Sequence, residues 1–390
     1  MAKTRSRIAR RVESLPPSGI RRFFELVERM PEAISLGIGE PDFVTPWRIR
    51  ESAIYSLERG HTHYTPNRGI KDLREKLGSY LERRFGVSYD PDRELLITVG
   101  ASEAIDVALR AVLDPDDGVL VPQPCFVSYV PCAVLAGGRA IPVPTSVEHE
   151  FRVQTDDLAQ ADDGGARVIL TSYPNNPTGA TLPRADVESV VAYAEERDLL
   201  ILSDEIYAEL TYDGDHASFA AVPGGRERTI LVGGFSKAWA MTGWRLGFAA
   251  AEAEIIDAMT KVHGYAVMCP PTVAQEAAVE ALAGCDEEIV RMRREYNQRR
   301  RVIVNRLNAM GLTCFEPRGA FYAFPSIAAT GMASEEFAER LLAEEKVAVI
   351  PGNAFGACGE GFVRCSYATS MPLIEEALAR MAAFVERAKG

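Results

Sequence analysis

Short apolar runs alternate with amphipathic stretches through the middle of the chain, which predicts an α/β fold around a mostly parallel central sheet. Leu95 to Val99, Val119 to Val121, Arg167 to Ser172, Leu199 to Ser203 and Thr229 to Val232 read as buried strands. Ala104 to Leu113 reads as a helix, and Val187 to Arg197 supplies the kind of helical crossover that parallel neighbours require. From Glu287 the pattern changes. A long charged helix runs to Leu307, followed by strand-like Gly319 to Pro325, a helix over Ser334 to Glu345, strands at Val347 to Ile350 and Phe362 to Ser366, and a helix from Leu373 to Ala388. That mixture predicts a second, smaller α+β domain. Near the start, Ser18 to Met30 has the spacing of an amphipathic helix with Ser18 as its N-cap. The expected organisation is an N-terminal segment, 1–47, packing with the small domain, then a large domain, 48–290, and the small domain, 291–390. No internal repeat or low-complexity segment interrupts it.

In an open parallel sheet, ligands bind at the carboxyl ends of the strands, so the residues just after each apolar run are the ones to inspect. After Thr229 to Val232 comes Gly234-Phe235-Ser236-Lys237-Ala238-Trp239-Ala240-Met241-Thr242-Gly243-Trp244-Arg245-Leu246-Gly247. The chain has seven lysines, and Lys237 alone lies in an uncharged, Gly-rich segment. A desolvated lysine loses proton affinity and becomes a nucleophilic amine able to condense with an aldehyde, while Arg245 can grip a phosphate with two parallel hydrogen bonds. A surface lysine on a turn is the bland alternative. Gly100-Ala101-Ser102-Glu103 opens a helix and can cradle an anion, although a serine near a helix start is also ordinary structure. Asp204, leaving a buried strand, needs a cationic partner or a structural role at a helix start. Arg364, inside the apolar stretch Phe362-Val363-Arg364-Cys365-Ser366, needs an anion or a structural ion pair.

Composition narrows the class. The 390 residues are 47% hydrophobic and 25% charged, ordinary values for a globular protein. No apolar run approaches the ~18 residues of a membrane span, and the start is basic, without the apolar core of a leader, so a cytoplasmic location is expected. Seven cysteines without a Cys-x-x-Cys pair point to free thiols, and His61 with His63 lacks a third metal ligand. A net charge of -12 disfavours nucleic acid and anionic membrane as partners of the body of the protein; the basic cluster Lys3, Arg5, Arg7, Arg10 and Arg11 reads as a solvated arm.

The lysine segment resembles the pyridoxal-phosphate attachment site of the class I and II aminotransferases, the fold type I enzymes. Asn176-Pro177-Thr178-Gly179 and Asp204-Glu205-Ile206-Tyr207 precede it in the order that family uses, and the resemblance extends over nearly the whole chain. It implies pyridoxal 5'-phosphate as cofactor, carried by Lys237 as a Schiff base. Asp204 would pair with the pyridine nitrogen, Asn176 and Tyr207 with the ring oxygen, and Phe126 with the ring face. Ala101, Ser102, Ser236 and Arg245 would surround the phosphate. Tyr64 matches a tyrosine that reaches the phosphate of a neighbouring subunit, which implies a homodimer with shared active sites. Arg364 would hold the substrate α-carboxylate in a pocket lined by the backbone of Gly39. One departure stands out: some members carry a hydroxyl three residues before the lysine, where this chain has Gly234.

The implied reaction moves an amino group from an L-amino acid to a 2-oxo acid such as 2-oxoglutarate. An aspartate-preferring member often has an arginine in the segment Val262-His263-Gly264-Tyr265, or a lysine near Ser102, and neither is present. Tyr265 and Phe126 suit an aromatic or large neutral side chain, and the chain is similar to archaeal aromatic aminotransferases. Aspartate or alanine transfer, and carbon–sulfur lysis on the same fold, remain alternatives. A DNA-binding regulator of related architecture is disfavoured, because fewer than twenty residues precede Ser18.

Overall fold

The computed structural model describes residues 7–16, 27 and 30–389. The expected helix over Ser18 to Met30 lies largely outside the described residues. Twelve strands are found among those described. β1 (Ile34–Ser35) comes first, then β2 (Leu95–Thr98), β3 (Gly118–Gln123), β4 (Arg139–Pro144), β5 (Ala166–Ser172), β6 (Leu200–Asp204), β7 (Thr229–Gly234) and β8 (Gly247–Ala250). β9 (Tyr322–Ala323), β10 (Val347–Ala348), β11 (Ile350–Pro351) and β12 (Val363–Ser366) follow in the C-terminal part.

β2 to β8 form a seven-stranded sheet in the order β2-β8-β7-β6-β5-β3-β4. The expected strands are all present, parallel to one another, and only β8 runs against its neighbours. The sequence pattern did not reveal β8, because Gly247-Phe248-Ala249-Ala250 is short and rich in small residues. Its smallness has a physical cause. A Cβ on Gly247 would lie 2.4 Å from the Ala101 amide nitrogen, so only glycine lets β8 pass under the start of helix Gly100–Val112.

The C-terminal expectations need two corrections. Of Gly319 to Pro325, only Tyr322–Ala323 is strand; Gly319 instead bridges to Thr211. The run Val347 to Ile350 is divided: β10 pairs in parallel with β1, and β11 pairs antiparallel with β12. Helix Asp286–Ala309 extends the expected charged helix by a residue or two at each end. Leu120 and Ile141 of the large sheet share one apolar cluster with Phe321, Val363 and Phe384, so buried contact runs continuously from the sheet into the C-terminal elements.

Candidate active site

The carboxyl ends of β2, β3, β5, β6 and β7 converge on a cavity of about 780 Å³. Lys237 enters it from the segment that follows β7, and its Nζ donates to the Gly39 carbonyl oxygen at 2.6 Å. Burial is the main cause that lowers its pKa, to about 8; nearby Glu40 pulls the other way, and Arg364 adds to the lowering. An amine that ordinarily titrates near 10.5 is therefore half neutral near pH 8, the state in which it is a nucleophile and a base. Competitive acetylation followed by mass spectrometry checks this. The rate at Lys237 in protein freed of any bound aldehyde should rise with pH and level off with a midpoint near 8.

At the floor of the cavity, Asp204 accepts a hydrogen bond from Tyr129 Oη at 2.7 Å through Oδ2 and from the Ile206 amide at 3.1 Å through Oδ1. Burial raises its pKa to about 6, against the pull of those two donors. Near neutral pH it is thus a buried carboxylate without a cation in hydrogen-bond contact, a place prepared for a protonated group. Tyr129 was not anticipated. It opens helix Tyr129–Ala136, three residues after Phe126, and its phenol is held protonated by burial, so it donates to Asp204. Tyr322 was also missed. Its hydroxyl lies 2.7 Å from that of Tyr207, 115 residues away in sequence, a tertiary contact that no local pattern signals.

The cavity also holds an anion cradle. Gly100 has φ of +73°, and a Cβ there would lie 2.7 Å from Arg245 Nη2, so the guanidinium packs against the first residue of helix Gly100–Val112. Free amides and a cation thus meet at one point, beside Ala101 and Ser102. Ser236 also lines the cavity. Space for a side chain at Gly234 is tight: a Cβ would stand 3.1 Å from Gly247 Cα, Leu246 O and Ile206 Cδ1, so these neighbours would have to give by a few tenths of an ångström. The departure noted in the sequence thus falls in the β7–β8 pairing, where Gly234 faces Gly247.

Arg364, on β12, is buried, with Nη1 donating to Asn176 Oδ1 at 2.8 Å and Nη2 to the Gly37 carbonyl at 2.7 Å. Its Nε has no partner, and no carboxylate pairs with the guanidinium among the described residues. The Tyr322 ring lies 4.5 Å away. A buried arginine held by neutral acceptors is an anion site.

The cavity therefore gathers Gly39, Ala101, Ser102, Phe126, Asn176, Asp204, Tyr207, Ser236, Lys237, Arg245 and Arg364. Residues 31–381 match the family model "Aminotransferase class I and II". The chain belongs to that aminotransferase family. It is 46% identical to an aspartate aminotransferase of Pyrococcus abyssi and, equally, 46% identical to the aromatic-amino-acid aminotransferase 2 of Thermococcus litoralis; each alignment covers 95% of this chain and 96% of the relative. Its structure resembles that of the aromatic aminotransferase of Pyrococcus horikoshii, with a TM-score of 0.90 and 45% identity over 94% of this chain and 99% of that one. It is thus an enzyme that transfers an amino group between amino acids and 2-oxo acids, on the fold that its sequence predicted.

Tyr64 is the one candidate residue of this aminotransferase that does not line the cavity, and it is 82% exposed. In the segment Val262 to Tyr265, His263 is fully buried and pairs with Glu103 at 2.8 Å, leaving Tyr265 as the aromatic that projects, 96% exposed. No described helix is long and apolar enough to cross a membrane.

Proposed function

We propose that this aminotransferase uses pyridoxal 5'-phosphate, bound between Lys237, Asp204 and the Gly100–Arg245 cradle, and that it prefers aromatic or large neutral amino acids, with 2-oxoglutarate as acceptor. The observation that carries the cofactor reading is the chemistry gathered in one cavity: a lysine whose pKa is lowered to about 8, a buried carboxylate, and an arginine packed where a Cβ on Gly100 would stand. Bound there, the cofactor supplies an aldehyde that carries the amino group and a ring that draws electrons from the substrate α-carbon. Asp204 would keep a proton on the ring nitrogen, Tyr207 and Asn176 would meet the ring oxygen, and Phe126 would cover one face. Arg364 orients the substrate carboxylate. Lys237 Nζ, once free and neutral, takes the proton from the α-carbon.

Specificity follows from the cations. The described lining has Lys237, Arg245 and Arg364, each already given a role, so among the described residues a distal carboxylate meets no further positive charge. Ile38, Ile105 and Phe126 offer apolar surface instead. With single amino donors and 2-oxoglutarate, kcat/KM for tyrosine and phenylalanine should exceed that for aspartate by about tenfold or more, the effect of one unmatched charge. Aspartate far ahead of both would transfer the enzyme to the aspartate reading, and pyruvate release from cystathionine without an acceptor would indicate lysis.

The reading includes a homodimer. Trp47, Ile54, Tyr55, Leu57, Tyr64 and Tyr265 are all about half exposed or more, the kind of side chains that a second copy would cover. Thr272 Oγ1 donates to the His63 carbonyl at 2.7 Å and Ser52 Oγ to the Glu276 carbonyl at 3.3 Å, which ties helix Trp47–Glu58 and the segment before Tyr64 to helix Thr272–Gly284. Pairing across it would give Tyr64 and Tyr265 a partner's cavity to enter. The division into segments 1–47, 48–290 and 291–390 belongs to the same proposal, with helix Asp286–Ala309 crossing the second boundary.

A further inference from the structure

We infer that Thr45 is a positioning residue that sets where the Arg245 guanidinium stands relative to the Lys237 amine, and thereby how strongly the enzyme favours a phosphorylated aldehyde. This rests on the cofactor reading above.

Between the two cations the chain makes two left-handed residues that are not glycine, Ala240 at φ +52° and Arg245 at φ +54°, separated by the 3₁₀ turn Thr242–Trp244. Such conformations persist where surrounding contacts over-determine them. Thr45 supplies that restraint from a distant part of the sequence. Its buried hydroxyl donates to the Ala240 carbonyl oxygen at 2.6 Å and accepts from Trp244 Nε1 at 3.0 Å, so one oxygen clamps both ends of the turn. Arg245 itself is tied back through Nη1 to the Thr242 carbonyl, within the clamped turn.

Thr45 is in turn fixed at the end of a strap that begins at Gly39. Gly39 O accepts from Lys237 Nζ, and Glu40 Oε2 accepts from Thr242 Oγ1 at 3.1 Å. Asp42 pairs with buried Arg299 at 2.8 Å, and Phe43 packs edge-on against Tyr296, both on helix Asp286–Ala309. The strap holds Lys237 through Gly39 and the turn that carries Arg245 through Thr45, which makes two bonds to it, and through Glu40, which makes one; the Gly39 contact is separate from these. Losing the Thr45 hydroxyl therefore releases the anion end and leaves the amine end held.

The test uses full-length protein freed of cofactor and measures binding of pyridoxal phosphate and of pyridoxal, which lacks the phosphate, to the wild type, Thr45→Val and Thr45→Ser. Thr45→Val should weaken pyridoxal phosphate binding by about tenfold or more, as expected for two lost hydrogen bonds. Pyridoxal binding should change by no more than about twofold, and Thr45→Ser should restore the wild-type ratio of the two affinities. Melting temperatures identify a variant that has simply lost its fold. Equal weakening of both aldehydes, an unchanged ratio in Thr45→Val, or no rescue by serine would overturn the assignment. Should the wild type itself not favour the phosphorylated aldehyde, the cofactor reading fails and the role of Thr45 falls with it.

Discussion

Lys237→Ala should lower turnover by about a thousandfold or more while leaving the protein folded, because it removes both the nucleophile and the base from the reaction. No other amine is present among the described residues that line the cavity. Asp204, with a pKa near 6 and engaged by Tyr129, cannot take its place at the α-carbon. Stability should not suffer. The folded-state pKa of Lys237 is depressed from 10.5 to about 8, so between those values the folded protein binds fewer protons than the unfolded chain. Stability attributable to this group therefore rises with pH across that window, and the full cost of burying the charged amine is borne below pH 8. At pH 7 the alanine variant escapes that cost, and with both proteins freed of cofactor its melting temperature should equal or exceed that of the wild type. Steady-state rates with tyrosine and 2-oxoglutarate, together with a thermal melt, measure both effects.

Arg364→Met should produce the next largest loss, about a hundredfold or more in kcat/KM for amino acids, the scale of removing one partner from a buried charge pair. The side chain has two neutral acceptors and a free Nε, so a substrate carboxylate would be its first anionic partner in the cavity. Burial pulls the guanidinium below its ordinary pKa, which an incoming carboxylate would reverse. A diagnostic comparison is tyrosine against tyramine, which lacks the carboxylate. The wild type should discriminate strongly between them in the first half-reaction, and Arg364→Met should nearly erase the difference. Arg364→Lys, which keeps charge without the planar fork, should fall between. A variant that still preferred tyrosine as the wild type does would place carboxylate recognition elsewhere.

Much of this site was legible because its residues violate local expectation. Arg364 sits in an apolar strand, Asp204 ends one, and Lys237 stands among glycines in a chain with few lysines. The buried strands were legible as apolar runs because both faces of a parallel sheet are covered. Partners brought together by tertiary folding were not. Tyr129 and Tyr322 carry no signal of their own, since tyrosines in mixed segments are ordinary core residues, and only the approach of distant loops makes them neighbours of Asp204 and Tyr207. β4, whose Arg139-Ala140-Ile141-Pro142-Val143-Pro144 contains two prolines, was hidden for a different reason: it is an edge strand, where proline is tolerated. Thr45 was invisible because its role lies in an oxygen shared between the two ends of one turn nearly 200 residues away.

The central claim is that one amine in this cavity carries the cofactor. Reducing the pyridoxal-phosphate-loaded enzyme with borohydride and mapping the peptides by mass spectrometry tests it most directly. A pyridoxyl-phosphate group on the peptide containing Lys237, and on no other, is the predicted result. Stoichiometric labelling at a different lysine, or an active enzyme with Lys237 unmodified, would contradict the account.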